Sequence, residues 1–156
     1  MTRIIVAAAL LIAFMATARA DIQEGYAAYE RGDYATALRE FRPLARQGDA
    51  SAQITLGFMY DKGQGVPQDY AEAVKWYRMA AEQGDADAQS YLGNIFENGQ
   101  GVPQDYVSAH MWFTLAVAHG DKYAQEDRDM FASKMTPDQI AEAKRLARKW
   151  MAKHQQ

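Results

Sequence analysis

A block of 36 residues written twice in tandem constrains this chain more than any other feature. Residues 50–85 read ASAQITLGFMYDKGQGVPQDYAEAVKWYRMAAEQGD. Residues 86–121 read ADAQSYLGNIFENGQGVPQDYVSAHMWFTLAVAHGD, without a gap between the two and with about half of the positions identical. A period of this length marks a solenoid: each unit is one supersecondary element that cannot bury its apolar face alone and is stable only when stacked on neighbours.

Each unit divides into two helical halves around a turn. The first carries Ala52, Leu56, Gly57 and Tyr60, matched by Ala88, Leu92, Gly93 and Phe96. The second carries Tyr70, Ala73, Trp76, Tyr77 and Ala80, matched by Tyr106, Ala109, Trp112, Phe113 and Ala116. Spacings of three and four place each set on one helical face. A glycine inside a helix costs about 1 kcal/mol relative to alanine, so its presence in both copies implies close helix–helix approach. Ala73 and Ala80, with Ala109 and Ala116, are expected to face it, and Trp76 and Trp112 to form the bulk of the core.

The turn Gly63-Gln64-Gly65-Val66-Pro67-Gln68-Asp69 ends one helix and starts the next. Gly63 can close the helix in the left-handed conformation, Pro67 holds Val66 extended, and Asp69 is an N-cap. Glu72 three residues on is expected to complete a capping box; the second copy keeps Asp105 but has Ser108 at that place. Each unit closes on a Gly-Asp pair, at 48–49, 84–85 and 120–121, a helix stop followed by a fresh cap.

The pattern A-x-A-Q-x-x-L-G, G-x-G-V-x-x-D-Y, A-x-x-W-[YF]-x-x-A and G-D resembles the Sel1-like repeat family, relatives of the tetratricopeptide repeat. The resemblance implies an all-α, right-handed α-solenoid of helix-turn-helix repeats that contacts protein partners through a concave groove lined by the first helix of each repeat. It also allows a second function class, an envelope-glycan-binding or hydrolytic protein. The bacterial relatives linked to cell-wall ligands are cysteine-rich, however, and this chain has no cysteine.

The flanks extend the array. Residues 1–20 combine Arg3, an apolar run from Ile4 to Ala16 and an Ala18-Arg19-Ala20 site, the pattern of a secretory signal peptide cleaved before Asp21. The alternative is an uncleaved anchor, because the run is only slightly short of a membrane span. A periplasmic or secreted location follows, and without cysteine neither disulfides nor lipid attachment at cysteine is possible. Residues 21–49 read as a shorter, degenerate repeat lacking the Gly-Gln-Gly-Val insertion, with Pro43 expected to kink its second helix. Residues 122–156 read as a partial repeat, with Tyr123, Met130 and Phe131 as anchors, then an amphipathic capping helix. That helix opens on Thr136-Pro137-Asp138-Gln139 and carries the stripe Ile140, Ala143, Leu146, Ala147, Trp150 and Met151. About eight helices are expected from Asp21 onward.

No catalytic constellation emerges. There is no thiol, no H-E-x-x-H, no phosphate loop and no S-x-x-K. The three imidazoles, His110, His119 and His154, are not at metal-ligand spacing; His119 precedes a helix-ending glycine, where a cation suits the helix dipole. No catalytic residue, metal or cofactor is expected. From Asp21 onward the chain carries 15 basic against 20 acidic side chains, which gives no case for nucleic acid. The basic face of the last helix, Lys144, Arg145, Arg148, Lys149 and Lys153, is either a solvated face or a contact for anionic lipid. The partner is expected to be a protein or peptide. Its candidate surface, carried over from tetratricopeptide relatives, is Tyr26, Tyr29 and Glu30 in the degenerate repeat; Ser51, Ile54, Phe58, Asp61 and Lys62 in the first full repeat; and Asp87, Ser90, Asn94, Glu97 and Asn98 in the second. Aromatic side chains ringed by polar ones are the composition of a binding hot spot.

Overall fold

Aspartate caps set the rhythm of the chain. The structure, a computed structural model, describes residues 22–154; the expected signal segment and its cleavage site lie outside the described residues. Eight helices and no strand occur among those residues: α1 (22–30), α2 (Tyr34–Arg46), α3 (Ala50–Lys62), α4 (Tyr70–Glu82), α5 (Ala86–Asn98), α6 (Tyr106–Ala118), α7 (Ala124–Ala132) and α8 (Pro137–His154). Helices α2 to α6 each begin after an aspartate whose carboxylate accepts a first-turn N–H, as Asp49 does from Ala52 (2.8 Å) and Asp85 from Ala88 (3.0 Å). Each cap satisfies one of the four amide donors left free at a helix start.

The expected capping box at Asp69 does not close. The Asp69 N–H donates instead to the Tyr60 carbonyl (2.9 Å), Asp105 does the same to Phe96 (2.8 Å), and Glu72 pairs with Lys75 (2.7 Å). With the cap residue's own amide bonded across the turn, a glutamate three residues on has no donor to reach. The second copy therefore tolerates Ser108, whose hydroxyl donates to Asp105 Oδ2 (2.6 Å). The box at the last helix is complete: Thr136 N–H donates to Gln139 Oε1 (2.9 Å) and Gln139 N–H to Thr136 Oγ1 (3.2 Å). Helix α2 runs unbroken through Pro43 to Arg46.

Most close packing is between helices adjacent in the chain, from α2 to α7, and α8 folds back onto α6. The core is a seam running through these pairs. Its repeating device differs from the expected one. A Cβ added at Gly57 would lie 2.7 Å from the Tyr77 ring, and one at Gly93 2.7 Å from the Phe113 ring. The glycines thus make room for an aromatic ring from the second helix, not for alanine. Gly25 repeats the arrangement against Phe41, at 2.9 Å. Tyr77, Phe113 and Phe41 are fully buried. Trp112 is buried too, but Trp76 is only half-buried. On the first helices, Met59 and Ile95 fill the core where Tyr60 and Phe96 were expected; both of the latter are half-exposed.

Buried amides tie successive units together. Gln53 donates to the Ala45 carbonyl (2.9 Å) and accepts from Gln83 Nε2 (2.8 Å). One unit later Gln89 donates to Ala81 (3.0 Å), and its oxygen lies 2.9 Å from His119 Nδ1. Because that oxygen can only accept, His119 Nδ1 carries the proton. His119 is therefore a strut between units, and its ring also meets Trp150 of α8 edge-on at 5.6 Å.

Beyond Asp121, which caps α7 through the N–H groups of Tyr123 and Ala124, only one of the three expected anchors holds. Phe131 is buried and stacks on Phe113 at 5.5 Å, whereas Tyr123 and Met130 are exposed. In α8, Ala143 and Ala147 are buried and the rest of the apolar stripe is half-buried. The array end is thereby covered, while the five basic residues of α8 face solvent. None of the helices among the described residues is long and apolar enough to cross a membrane.

Candidate functional site

The first helices of the successive units, α1, α3 and α5, line a groove made of two adjoining hollows. The first, about 310 Å³, is bounded by Tyr26, Tyr29 and Glu30 of α1, Ile54, Thr55 and Phe58 of α3, and Tyr91 of α5. The second, about 200 Å³, is bounded by Phe58, Asp61 and Lys62 of α3, Tyr77 of α4, Tyr91, Asn94 and Ile95 of α5, and Gln100. Phe58 and Tyr91 belong to both. Tyr91 is 37% exposed and stacks on Tyr77 at 4.8 Å, so an exposed ring rests on a buried one.

Polar groups around the rings are held in place. Tyr29 donates to Gln64 Oε1 (2.8 Å), and Gln64 Nε2 donates to Tyr34 (3.2 Å). Gln64 is the middle residue of the Gly-Gln-Gly turn, so that turn fixes a groove side chain as well as linking helices. Burial, followed by neighbouring Tyr34, pushes the Tyr29 hydroxyl above its ordinary value. Lys62 Nζ pairs with Asp61 Oδ2 (2.8 Å) and lies 5.5 Å over the Phe58 ring. The hydrogen bond that Lys62 donates to Asp61 is the main cause that raises the lysine above its usual range.

Of the sequence-derived surface, the structure brings together Tyr26, Tyr29, Glu30, Ile54, Phe58, Asp61, Lys62 and Asn94. It leaves out Ser51, Asp87, Ser90, Glu97 and Asn98. Ser51 is exposed beyond the hollows. Ser90 is bonded to the Asp121 carboxylate, Glu97 faces Lys134 (3.8 Å), and Asn98 donates to the Asn94 carbonyl (2.8 Å). Asp87 is exposed, and partial loss of hydration, then Asp85 and Asp121, raise its carboxyl above the ordinary value. The sequence reading missed Thr55 and Tyr91, which occupy the same repeat position 36 residues apart, and Tyr77 and Gln100. The repeat itself held the signal for the first two, since one face position further round each first helix reaches them.

A larger hollow, about 430 Å³, lies away from the groove where the ends of α4, α6 and α8 meet. His119, Trp150 and His154 line it, with the His154 ring stacked on Trp150 at 3.9 Å. It is the seam between the array and its capping helix. The third imidazole, His110, is buried in α6 beside Thr114, and burial, then Arg128 and Lys144, push it below its ordinary value. Among the described residues no group of three histidine or carboxylate side chains is arranged to hold a metal ion.

Comparison with known proteins agrees with this fold. The Sel1 repeat family profile matches residues 50–85 and 86–121. Among solved structures, the chain is similar to c5321, described as a protective antigen present in uropathogenic Escherichia coli strains and displaying an SLR fold. The TM-score is 0.83 at 33% identity over 88% of this chain and 30% of that one. It is also similar to a Sel1 repeat protein from Oxalobacter formigenes, with a TM-score of 0.66 at 36% identity over 73% of this chain and 49% of that one. The chain spans less than half the length of either. No curated protein sequence matches it significantly. The chain thus carries two tandem Sel1 repeats at its centre and shares the fold of solved Sel1-repeat proteins, a repeat type that generally mediates protein–protein interaction.

Proposed function

We propose that this protein is a non-catalytic adaptor of the bacterial cell envelope that holds a protein or peptide partner in the groove along α1, α3 and α5. The observation that carries this reading is the pair of adjoining hollows sharing Phe58 and Tyr91, with Tyr26, Tyr29 and Ile54 apolar on the same surface. Large rings that are partly exposed on a rigid array, next to pinned polar groups, are the physical profile of an interaction hot spot. A photo-crosslinking residue at position 58, in intact envelopes, should yield a discrete adduct absent with the same residue at Lys75 or Lys149. With that partner, the double variant Phe58→Ala, Tyr29→Ala should keep its helical content and lose about tenfold or more in affinity. Equal affinity in the folded double variant, or adducts from Lys149 alone, would move the site to another face.

Export is part of the same proposal and rests on residues 1–20. Fused to a reporter active only outside the cytoplasm, residues 1–25 should give activity, and changing the apolar run to charged residues should abolish it. Retention of Met1 on a cytosolic protein would overturn the envelope assignment.

A further inference from the structure

Positions 77 and 113 are equivalent in the two repeats. Each side chain does the same work, filling with an aromatic ring the space that Gly57 or Gly93 leaves. Phe113 does so without a hydroxyl and is fully buried. The packing therefore needs the ring alone, and the Tyr77 oxygen is surplus to it. That oxygen is also ill-placed for stability. Tyr77 is 1% exposed, and its hydroxyl has no hydrogen-bond partner among the described residues. An unpaired buried hydroxyl is a destabilising feature that native proteins seldom keep without a use.

The surroundings indicate what the hydroxyl is for. Tyr77 borders the second hollow of the groove, and its hydroxyl lies in the field of the Asp61 carboxylate. Burial, then Asp61, push the phenol far above its ordinary value, so it is a standing proton donor. Asp61 is already paired with Lys62. The hollow is therefore bordered by one enclosed, unpaired donor and one carboxylate whose charge is offset, alongside the rings of Phe58 and Tyr91. An anionic group would have to take Lys62 away from Asp61 and would leave that carboxylate unpaired beside it. A second cation would compete with Lys62. A purely apolar group would leave the phenol unpaired. A neutral group with an acceptor and a donor on one small plane fits all of these constraints.

We propose that this hollow is the anchor subsite of the groove and takes the side-chain carboxamide of a glutamine or asparagine in an extended partner segment. Tyr91 slides off the Tyr77 ring to uncover the hydroxyl, from which the carboxamide oxygen accepts; the NH2 donates to Asp61, and the amide plane packs against Phe58. This rests on the groove being the partner surface and specifies what it selects.

The test is an NMR titration of the folded protein with three probes: N-acetyl-glutamine methylamide, N-acetyl-glutamate methylamide and N-acetyl-leucine methylamide. The glutamine probe should shift residues 58, 61, 77, 91 and 94 saturably, at least several-fold more tightly than the other two. Tyr77→Phe should abolish that preference while raising the melting temperature, because it removes an unpaired donor and reproduces the Phe113 solution. Three results would each overturn the subsite: no shift by the glutamine probe up to its solubility limit, equal binding of the leucine probe, or full glutamine affinity in Tyr77→Phe. The groove reading fails separately, through unimpaired partner capture by the Phe58→Ala, Tyr29→Ala variant.

Discussion

Gly101→Ala should destabilise the protein by about 2–5 kcal/mol, the largest effect expected from a change of one methyl group anywhere in the array. Two costs add at this position. Gly101 has φ +70, a region in which an L side chain is strained. The new Cβ would also lie 2.6 Å from Tyr70 Cβ, 2.7 Å from the Tyr70 carbonyl carbon and 2.8 Å from the Ala71 nitrogen. These are mostly backbone atoms at the start of α4, which cannot move aside unless the second unit shifts against the first. Gly65 makes the same approach to Tyr34 of α2, at 2.7 Å, with the flexible Leu38 among its neighbours, so Gly65→Ala should cost less. Gly32→Ala is the control, because φ is +76 there but nothing lies within 4 Å of the added carbon. Urea denaturation followed by circular dichroism separates the two costs. If Gly101→Ala and Gly32→Ala agree within about 0.5 kcal/mol, close approach of the turn to the preceding unit contributes nothing to stability.

That glycine marks how far the sequence could be read. The 36-residue period, the Asp caps and the Gly-Asp stops announced the helix-turn-helix array and nearly every helix start, because caps and stops are local signals encoded in neighbouring residues. What Gly65 and Gly101 touch is not local. The turn suggested only an unusual backbone angle, whereas its tight contact is with the preceding unit's second helix, some 30 residues back. The choice of Tyr77 and Phe113 over tryptophan as the ring against glycine was hidden for a related reason. Trp76 and Tyr77 are adjacent, both apolar and both on plausible core faces. The crossing of two helices decides which one meets Gly57, and periodicity within one helix cannot report it.

The groove was legible where it depends on repeat position and obscure where it depends on neighbours. Tyr26, Tyr29, Ile54 and Phe58 followed from carrying one helical face along the array. Thr55 and Tyr91 lie one residue, or about 100° of helix, beyond the face that was carried over. In α3, sandwiched between other helices, apolar residues are distributed widely round the helix, so pattern alone does not mark where the core face stops. Ser90 and Glu97 were assigned to the groove because nothing in the repeat says otherwise. They are engaged by Asp121, which closes the second repeat and turns the chain into α7, and by Lys134 of the irregular segment beyond it.

Gly93→Leu should cost about 3 kcal/mol or more, and Gly57→Leu a similar amount, but the two should fail in different places. Any larger residue here gains up to about 1 kcal/mol of helix propensity over glycine, so net destabilisation means that the clash outweighs that gain. It should, because each ring is buried and already packed against a second ring. Phe113 is fully buried and stacked on Phe131 of α7, and Tyr77 is buried beneath Tyr91. Leucine at 93 drives Phe113 toward α7, away from the groove. Leucine at 57 drives Tyr77 toward Tyr91 and the second hollow. Stability should therefore fall in both, while binding measured on the folded fraction should fall only in Gly57→Leu. Pairing Gly93→Ala with Phe113→Leu should recover much of the loss in Gly93→Ala by returning the volume the ring occupied. Unchanged melting temperatures for both leucine variants would show that these glycines are not at a tight helix contact. Equal losses of binding would show that the groove depends on the whole array and not on the floor that Tyr77 provides.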